Sequence, residues 1–245
     1  MTGIHRFDPT VLREYDVRGV VGRTLGVDDA KAIGSAFATI AARDGGKSIC
    51  VGYDGRVSSP ELEAALIAGL NASGADVIRV GLGPTPMLYY SVHSLNADGG
   101  IMVTGSHNPP DNNGFKFMLG KSSFFGKSIK QLGDVAAAGD YLSGSGTSRE
   151  ESMLQRYVDR VAEEGAELQP LKVAWDAGNG AAGEAMALLT ARLPGTHILL
   201  NERIDGSFPA HHPDPTVPEN LVQLIARVRA ESCDLGIAFD GDGDR

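Results

Sequence analysis

The sequence predicts two consecutive α/β domains with mixed, largely parallel sheets. Three observations carry this prediction: β-rich runs alternate with helical runs, the alternation stops once in a segment rich in serine and glycine, and it then starts again. Strands that are separated by helices form βαβ units, whose strands lie parallel in one sheet. A chain of 245 residues is long enough for one or two such domains.

The first block opens with an amphipathic helix. Asp28 or Asp29 is expected to cap it, because a short acidic side chain accepts hydrogen bonds from free backbone N–H groups. A later helix opens at residues 58–61, where serine can cap it and proline suits its first turn. The other predicted elements of this block are strands over 48–52, 76–80 and 100–104 and a helix over 86–95.

The hydrophobic period stops over residues 142–150, which are rich in serine and glycine and are typical of a linker. We therefore expect a first domain over residues 1–148 and a second over 149–245. The second block is predicted to contain helices over 153–164, 184–193 and 218–230 and strands over 171–175, 197–201 and 234–239.

The net charge of −9 gives the chain no electrostatic reason to bind nucleic acid or an anionic membrane. The sequence has no signal-peptide pattern and no apolar run of membrane-spanning length. Cys50 and Cys233 lie in apolar, strand-like runs, and we interpret them as buried thiols in a reducing compartment. The expected location is cytoplasmic.

Residues 104–110 (Thr-Gly-Ser-His-Asn-Pro-Pro) follow a predicted strand directly. Functional sites in open α/β sheets gather at the carboxyl ends of strands. The glycine allows a tight turn and the prolines stiffen its exit, so that Ser106 is presented beside His107 as a nucleophile beside an acid or base. Taken alone, the segment is equally typical of a polar turn.

The chain closes on Asp240, Asp242 and Asp244, which alternate with glycines. Alternate side chains of an extended segment point the same way, and carboxylates that converge repel one another unless a cation lies between them. Oxygen ligands suit Mg²⁺. A solvated acidic tail and an EF-hand loop are the alternatives, although the EF-hand needs a later glutamate.

Two further segments are weak signals when they stand alone. In residues 15–20 (Tyr-Asp-Val-Arg-Gly-Val), Arg18 could be an ordinary surface arginine. Residues 113–116 (Asn-Gly-Phe-Lys) are typical of a tight hairpin turn that presents Lys116.

These segments, in this order, resemble the motifs of the phosphohexomutase family, of the phosphomannomutase/phosphoglucomutase type. Residues 176–180 (Asp-Ala-Gly-Asn-Gly) and 212–215 (His-Pro-Asp-Pro) match that family too. The resemblance implies the first and most of the second of four phosphohexomutase-type α/β domains. It also implies an isomerase that interconverts hexose 1-phosphate and 6-phosphate, of mannose or glucose, through a phosphoserine and a bisphosphorylated sugar.

The resemblance also assigns residues by their place in each motif. Ser106 is implied to be the phosphoserine. An Mg²⁺ ion is implied to bind Asp240, Asp242, Asp244 and an oxygen of the phosphorylated Ser106. The residues implied to line the catalytic site are His107, Lys116, Arg18 and Arg245, and those implied to bind the phosphorylated hexose are Tyr15, Arg18 and Lys116.

Other readings of the sequence compete with this one. Residues 178–183 fit the G-x-G-x-x-G pattern of an NAD(P)-binding module, although Asp176 would place a carboxylate near the pyrophosphate. An aspartate pair after a strand is also found in haloacid-dehalogenase-like phosphatases. His211 and His212 are interpreted as parts of a rigid, proline-rich surface loop. A fragment that binds a ligand without catalysing a reaction is a further possible class of function.

The acidic loop ends the chain directly after a strand-like run. We therefore expect an incomplete fragment that is inactive alone, with a poorly ordered metal loop because its second anchor is missing. The strand over 234–239 is expected to have a free edge, through which two copies of the chain could form a dimer.

Overall fold

The computed structural model describes residues 3–165 and 168–245, and helices alternate with strands in both parts. In chain order the elements are β1 (Val17–Val20), α1 (Val27–Arg43), β2 (Ser48–Tyr53), α2 (Ser59–Ala72), β3 (Asp76–Leu82), α3 (Thr85–Ser94), β4 (Gly99–Val103), β5 (Asn112–Leu119), β6 (Ser122–Ser123), α4 (Lys127–Ala138), β7 (Ser148–Glu150), α5 (Leu154–Gly165), β8 (Leu171–Asp176), α6 (Gly183–Thr190), β9 (Gly195–Leu200), α7 (Val222–Ala230) and β10 (Leu235–Ala238). A 3-10 turn over Pro218–Leu221 leads into α7.

The described strands form two separate sheets. In the first, of order β1-β5-β4-β2-β3-β7, the strands β4, β2, β3 and β7 are parallel, whereas β5 is antiparallel to β4 and to β1. The second has the order β10-β8-β9 and is parallel throughout. The predicted fold class, two consecutive α/β domains with mixed, largely parallel sheets, is confirmed.

The segment predicted to be a linker contains a strand. Ser148–Glu150 pairs in parallel with β3, with Ser148 opposite Val77. The first sheet therefore extends past residue 148, and α5, which packs against α6 as well as α3, is the next element. We propose that the domain boundary lies at residues 151–153, between this strand and that helix.

Helix α1 begins differently from the prediction. Gly26, not Asp28 or Asp29, occupies the N-cap position. Asp29 stands three residues later, and its Oδ2 accepts a hydrogen bond of 2.7 Å from the Gly26 N–H. The acidic side chain thus stabilises the helix start from within the first turn, where it also complements the helix dipole.

Helices α1 and α2 lie on one face of the first sheet and pack so closely that their backbones are in contact. A Cβ atom on Gly34 would lie 2.1 Å from the Leu66 carbonyl oxygen, and one on Gly69 would lie 2.0 Å from the Lys31 carbonyl oxygen. Only glycine fits at either position. This contact fixes α2, and with it the turn after β2 from which α2 starts.

No helix within residues 3–165 and 168–245 has both the length and the apolar character needed to cross a bilayer. The thiols of Cys50 and Cys233 are free, and Cys50 is fully buried while Cys233 is half-buried. Burial raises the pKa of the Cys50 thiol to about 12.

Candidate functional site

The loops that carry reactive side chains lie at the carboxyl ends of parallel strands. Ser106 follows β4, Asp54 follows the neighbouring strand β2, and Asp240 follows β10 of the second sheet. Binding sites in open α/β sheets form at this edge. The two sheets meet here, because Ser106 of the first domain is hydrogen-bonded to Asp240 of the second.

Ser106 lies at the centre of this contact. Its Oγ donates a hydrogen bond of 2.7 Å to Asp240 Oδ2 and lies 3.3 Å from His107 Nδ1. The residue is only 2% exposed, because the acidic loop covers it, whereas the sequence suggested an exposed hydroxyl. Its φ of +49° lies in the left-handed region, which side-chain-bearing residues rarely occupy.

The acidic loop packs on the first domain. A Cβ atom on Gly241 would lie 2.3 Å from the Ser106 carbonyl oxygen. Thr85, at the start of α3, donates from its backbone N–H to the Asp242 carbonyl at 2.8 Å and from Oγ1 to Asp242 Oδ2 at 2.6 Å. The expectation of a poorly ordered loop assumed that nothing holds its far end. These contacts with the first domain hold it.

The three aspartates of this loop lie close enough to share one cation. One carboxylate oxygen of each lies within 4.8 Å of the others, and Asp240 and Asp242 are buried whereas Asp244 is exposed. The loop curls around Asp240, whose Oδ1 accepts hydrogen bonds from the backbone N–H groups of Asp244 and Arg245 at 3.1 and 3.2 Å.

Burial and mutual repulsion make this cluster costly without a cation. Burial, followed by the charge of Asp242, raises the pKa of Asp240 to about 6. Burial also opposes ionisation of Asp242, but the charge of Lys116 and the hydrogen bonds from Lys116 and Thr85 together outweigh it and lower the pKa of Asp242. Among the described residues, Asp242 Oδ1 has no hydrogen-bond partner, which is unfavourable for a buried oxygen.

These features fit a bound metal ion. Carboxylate oxygens suit a hard divalent cation, which would offset the repulsion and give Asp242 Oδ1 a partner. The residues that would hold the ion are Asp240, Asp242 and Asp244, with Ser106 Oγ beside them. The structure thus brings together the four residues that the resemblance implied as ligands.

Lys116 lies in the middle of β5 and not in a hairpin turn. The Asn-Gly pair before it continues the strand, with Asn113 opposite Gly19 of β1. Its Nζ donates to Asp242 Oδ2 at 2.7 Å and to Asp244 Oδ2 at 2.6 Å. Burial opposes its charge, but the two carboxylates outweigh this and raise the pKa of Lys116, which keeps it an ammonium.

Arg18 lies in β1 with its side chain buried, which excludes the surface interpretation. Its Nη1 donates to the Thr104 carbonyl at 2.6 Å, and its Nη2 donates to Asp16 Oδ2 at 2.5 Å. The guanidinium therefore supports the segment that leads into Ser106 while it also lines the cavity described below.

His107 is close to both reactive groups of the contact. Its Nδ1 lies 4.0 Å from Asp240 Oδ2 as well as near Ser106 Oγ. Burial and then the positive charge of Arg245 lower the pKa of His107, which favours the neutral imidazole. A neutral imidazole next to a hydroxyl can accept a proton from it.

A cavity of about 680 Å³ opens beside Ser106. Its volume suits a small organic ligand, and its charge suits an anion. Its lining carries four cations and three carboxylates, an excess of one positive charge, and includes the imidazole of His107. The cations belong to Arg13, Arg18, Lys116 and Arg245, and the carboxylates belong to Glu14, Asp16 and Asp244. Tyr15 stands at its mouth, 75% exposed, with its ring centroid 6.1 Å from that of Phe125. All residues predicted for catalysis or substrate binding thus face one cavity.

Three residues that hold this site in place lie outside the motifs recognised in the sequence. Thr85 clamps Asp242, and Asp54 Oδ2 accepts hydrogen bonds of 2.9 Å from Thr104 Oγ1 and from the Gly105 N–H. Arg56 binds the carbonyl groups of the Ser106 loop. One signal was available: residues 54–56 follow the strand over 48–52, so they belong to the same sheet edge as Ser106.

The G-x-G-x-x-G segment joins β8 to α6 but has no room for a pyrophosphate. Its N–H groups are already bonded: Asn179 donates to the Asn201 carbonyl at 2.9 Å and Ala181 to the Gly241 carbonyl at 3.0 Å. A Cβ atom on Gly183 would lie 1.9 Å from the Glu202 carbonyl oxygen, so the start of α6 is covered by the protein's own backbone. The NAD(P)-binding interpretation therefore has no structural support.

His211 is more than part of a surface loop. Its Nε2 lies 2.9 Å from Asp176 Oδ2 and its Nδ1 lies 3.0 Å from the His212 carbonyl. The hydrogen bond to Asp176 raises the pKa of His211. Both ring nitrogens are engaged, and the pair ties the proline-rich loop to the end of β8.

The chain matches both domains of one known family. Residues 9–139 match "Phosphoglucomutase/phosphomannomutase, alpha/beta/alpha domain I", and residues 155–245 match domain II of the same family. These two matches cover most of the chain.

Curated relatives and a solved structure agree with these matches. A phosphomannomutase/phosphoglucomutase of Pseudomonas aeruginosa is 45% identical over 236 residues, which are 96% of this chain and 51% of that protein. A phosphoglucomutase of Neisseria gonorrhoeae is 41% identical over 96% of this chain and 52% of that protein. A phosphoglucomutase/phosphomannomutase family protein of Burkholderia thailandensis superposes with a TM-score of 0.93 and 41% identity, over 98% of this chain and 54% of that one.

The chain spans about half the length of the curated relatives it matches. Its serine loop, its acidic loop and every strand of the two sheets except β7 fall within the two matched ranges. The resemblance inferred from the motifs is confirmed: the chain belongs to the phosphoglucomutase/phosphomannomutase family, of which it carries domains I and II.

Proposed function

We propose that the protein carrying this chain is a phosphohexomutase, which interconverts the 1-phosphate and 6-phosphate of mannose, glucose or both. The observation that carries the proposal is the contact between Ser106 Oγ and Asp240 at the edge of a basic cavity. A hydroxyl that faces a metal-binding cluster and several cations is suited to carry a phosphoryl group. The names of the relatives support the same reaction class.

In the proposed reaction, phosphorylated Ser106 donates its phosphoryl group to a free hydroxyl of a hexose phosphate. The sugar oxygen bonds to phosphorus, the bond from phosphorus to Ser106 Oγ breaks, and the hydroxyl proton passes through a base to the Oγ that leaves. His107, whose Nδ1 lies 3.3 Å from Ser106 Oγ, is the candidate for this base by its position, and in the second step the proton returns from Ser106 Oγ to the sugar oxygen. The bisphosphorylated sugar then returns its other phosphoryl group to Ser106 Oγ. Both steps conserve charge and atoms, and the second regenerates the phosphoserine.

The cavity residues contribute by charge and by position. Arg18, Lys116 and Arg245 would attract the anionic sugar and stabilise the charge on the transferring group, where electrostatics supply most of the catalysis. The exposed ring of Tyr15 would contact the sugar at the mouth of the cavity. The net charge of −9 makes nucleic acid and anionic membranes unsuitable partners.

We propose Mg²⁺ as the metal. Asp240, Asp242 and Asp244, with an oxygen of phosphorylated Ser106, would hold it. A divalent cation bound to these oxygens would neutralise part of the negative charge of the phosphoryl group. Mg²⁺ is favoured because it commonly combines a few carboxylates with substrate phosphate oxygens.

A mass measurement tests the central proposal. We expect the intact protein, incubated with glucose 1,6-bisphosphate, to gain the mass of one phosphoryl group, and we expect peptide mapping to locate that group on Ser106. Because each turnover regenerates the phosphoserine, later addition of mannose 1-phosphate or glucose 1-phosphate should leave this mass in place, while an isotopically labelled phosphoryl group on Ser106 should pass to the sugar. Phosphorylation at any other residue, or none at all under these conditions, would contradict the assignment of Ser106.

The predicted dimer and the cellular location complete the proposal. Strand β10 is an outer strand of the second sheet, with Leu235 partly exposed, and pairing of two such edges would form a dimer. Light scattering of the chain should then give twice the monomer mass, and a monomer at all concentrations would exclude this dimer. A cytoplasmic location is supported by the free thiols of Cys50 and Cys233.

A further inference from the structure

Arg56 lies under the loop that carries Ser106. The residue is only 2% exposed and follows β2, beside the strand that leads into that loop. Its guanidinium lies directly against the loop backbone, because a Cβ atom on Gly105 would lie 2.0 Å from Arg56 Nε. Glycine at position 105 is therefore what allows the arginine to occupy this place.

The guanidinium binds the loop at several carbonyl groups at once. Nη2 donates to the carbonyls of Ser106 and Asn108, each at 2.7 Å, and Nη1 donates to those of Pro109 at 2.6 Å and Asn112 at 3.0 Å. A planar guanidinium can serve these four acceptors together, whereas a lysine ammonium has only three N–H bonds and no fixed plane.

Asp54 completes this support from the other end of the loop. Its Oδ2 lies 3.3 Å from Arg56 Nε and accepts hydrogen bonds of 2.9 Å from the Gly105 N–H and from Thr104 Oγ1. The buried charge of Arg56 is therefore paired, as a stable interior requires. Together the two side chains fix both the entry and the exit of the loop.

The support acts directly on the strained conformation of Ser106. A residue with a side chain at φ +49° stays there only when its surroundings hold it. Thr104 Oγ1 accepts from the Ser106 N–H at 2.8 Å, and Arg56 donates to the Ser106 carbonyl. The two backbone polar groups of Ser106 are thus both held, which fixes the direction of its Cα–Cβ bond, and the hydrogen bond to Asp240 then orients Oγ.

The second domain in turn covers Arg56. The Phe208 ring stacks over the guanidinium, with its centroid 5.1 Å from Arg56 Cζ. The surrounding segment is packed closely: a Cβ atom on Gly206 would lie 2.6 Å from the Gly55 carbonyl oxygen, and one on Gly55 would lie 2.3 Å from Ile204 Cγ2. Removal of this segment would expose the guanidinium to water, which would compete for its hydrogen bonds.

We propose that Arg56 is a positioning residue that fixes Ser106 for phosphoryl transfer, and that Phe208 of the second domain holds Arg56 in this role. The second domain therefore acts on the serine loop in two ways: through the contact of Phe208 with Arg56, and through the hydrogen bond between Ser106 and Asp240. That Arg56 positions the loop is inferred from the contacts alone, whereas the expected effect of this positioning on turnover rests on the proposed mutase function.

The test compares Arg56→Lys, Phe208→Leu and the control Arg79→Lys in the whole protein that carries this chain. Arg79 lies on β3 and binds Glu63 and Glu150, away from the serine loop. Hydrogen exchange of residues 104–112 is measured together with kcat and KM for glucose 1-phosphate, per folded molecule and well below the melting temperature.

We expect Arg56→Lys to speed exchange in the loop by about tenfold and to lower kcat by about 10- to 100-fold, with KM changed less than about threefold. Phe208→Leu should change both quantities in the same direction by about threefold, and Arg79→Lys should change neither. If Arg56→Lys does not fold, Phe208→Leu carries the same comparison.

Three results would decide against the proposal or separate it from the proposed function. Loop exchange at the wild-type rate in the Arg56 and Phe208 variants would overturn it. A lower melting temperature with unchanged kcat would also overturn it, because it would show a role in stability alone. A wild-type protein without mutase turnover would refute the proposed function, and the exchange data would then still decide whether Arg56 positions the loop.

Discussion

Replacing Ser106 with alanine is expected to lower mutase turnover by about 1,000-fold or more, because the change removes the oxygen that carries the phosphoryl group. The fold should survive, since the substitution leaves no cavity larger than one oxygen atom and removes one hydrogen bond, to Asp240. We expect a loss of about 1–3 kcal/mol of stability, because the buried Asp240 Oδ2 loses its hydrogen-bond donor. The measurements are steady-state turnover of glucose 1-phosphate and chemical denaturation.

Ser91→Ala is the matched control for this variant. Ser91 is also fully buried and also donates one hydrogen bond, to the Met87 carbonyl within α3, but it does not line the cavity. Its turnover should stay within about twofold of wild type, as is usual for substitutions away from an active site. If Ser106→Ala retained turnover within about threefold of wild type, Ser106 would not be the phosphoryl carrier.

The second large effect is expected from Asp242→Asn. This change removes a buried carboxylate that accepts hydrogen bonds from Thr85 and Lys116, and whose other oxygen has no hydrogen-bond partner among the described residues. An amide is a weaker ligand for a hard cation and cannot pair with the lysine charge. We expect Mg²⁺ affinity to fall by at least about 100-fold, with turnover falling in parallel.

Titration calorimetry with Mg²⁺ measures this effect without any need for turnover. Asp44→Asn is the control, because Asp44 lies exposed at the end of α1, far from the acidic loop. Equal Mg²⁺ affinity in Asp242→Asn and Asp44→Asn would show that the metal does not bind at this cluster. Because the lost carboxylate also leaves Lys116 partly unpaired, the melting temperature of Asp242→Asn should fall as well.

The sequence allowed the fold and the reactive residues of the site to be predicted. Alternation of strands and helices is a local property, so the elements from β2 to β4 lie within one or two residues of their predicted ends at most positions. The serine and acidic loops follow strands directly, and strand ends meet at one edge of a sheet. This rule does not bring Ser106 and Asp240 together, because they follow strands of different sheets, and only the family resemblance implied that they are neighbours.

Other features could not be predicted because they depend on contacts between distant segments. The Asn-Gly pair before Lys116 has the composition of a turn, yet its pairing with β1 and β4 makes it part of a central strand. Ser148–Glu150 has a linker composition but completes the sheet beside β3. Local propensity is a weak prior, and tertiary pairing overrides it in both cases.

The residues that support the site, such as Arg56 and Thr85, are a third kind of feature, and they could not be predicted from the sequence. Nothing in the local pattern around Arg56 distinguishes it from a surface arginine, because its acceptors lie about fifty residues later and its aromatic cover lies in the other domain. The same holds for Thr85, whose partner Asp242 is far along the chain. Such roles become visible only when the two domains are seen together.

The contact between Gly241 and the Ser106 carbonyl restricts how this architecture can be inherited. The reactive residues are divided between the domains, with Ser106 and Lys116 in one and the aspartates in the other, and the two parts meet at Gly241 with no space for one added methyl group. A recombination event that joined domain I of one lineage to domain II of another would keep every reactive residue and could still separate the serine from its aspartates. We therefore expect the two domains to be inherited as one unit and the residues of their interface to diverge more slowly than those of the outer helices.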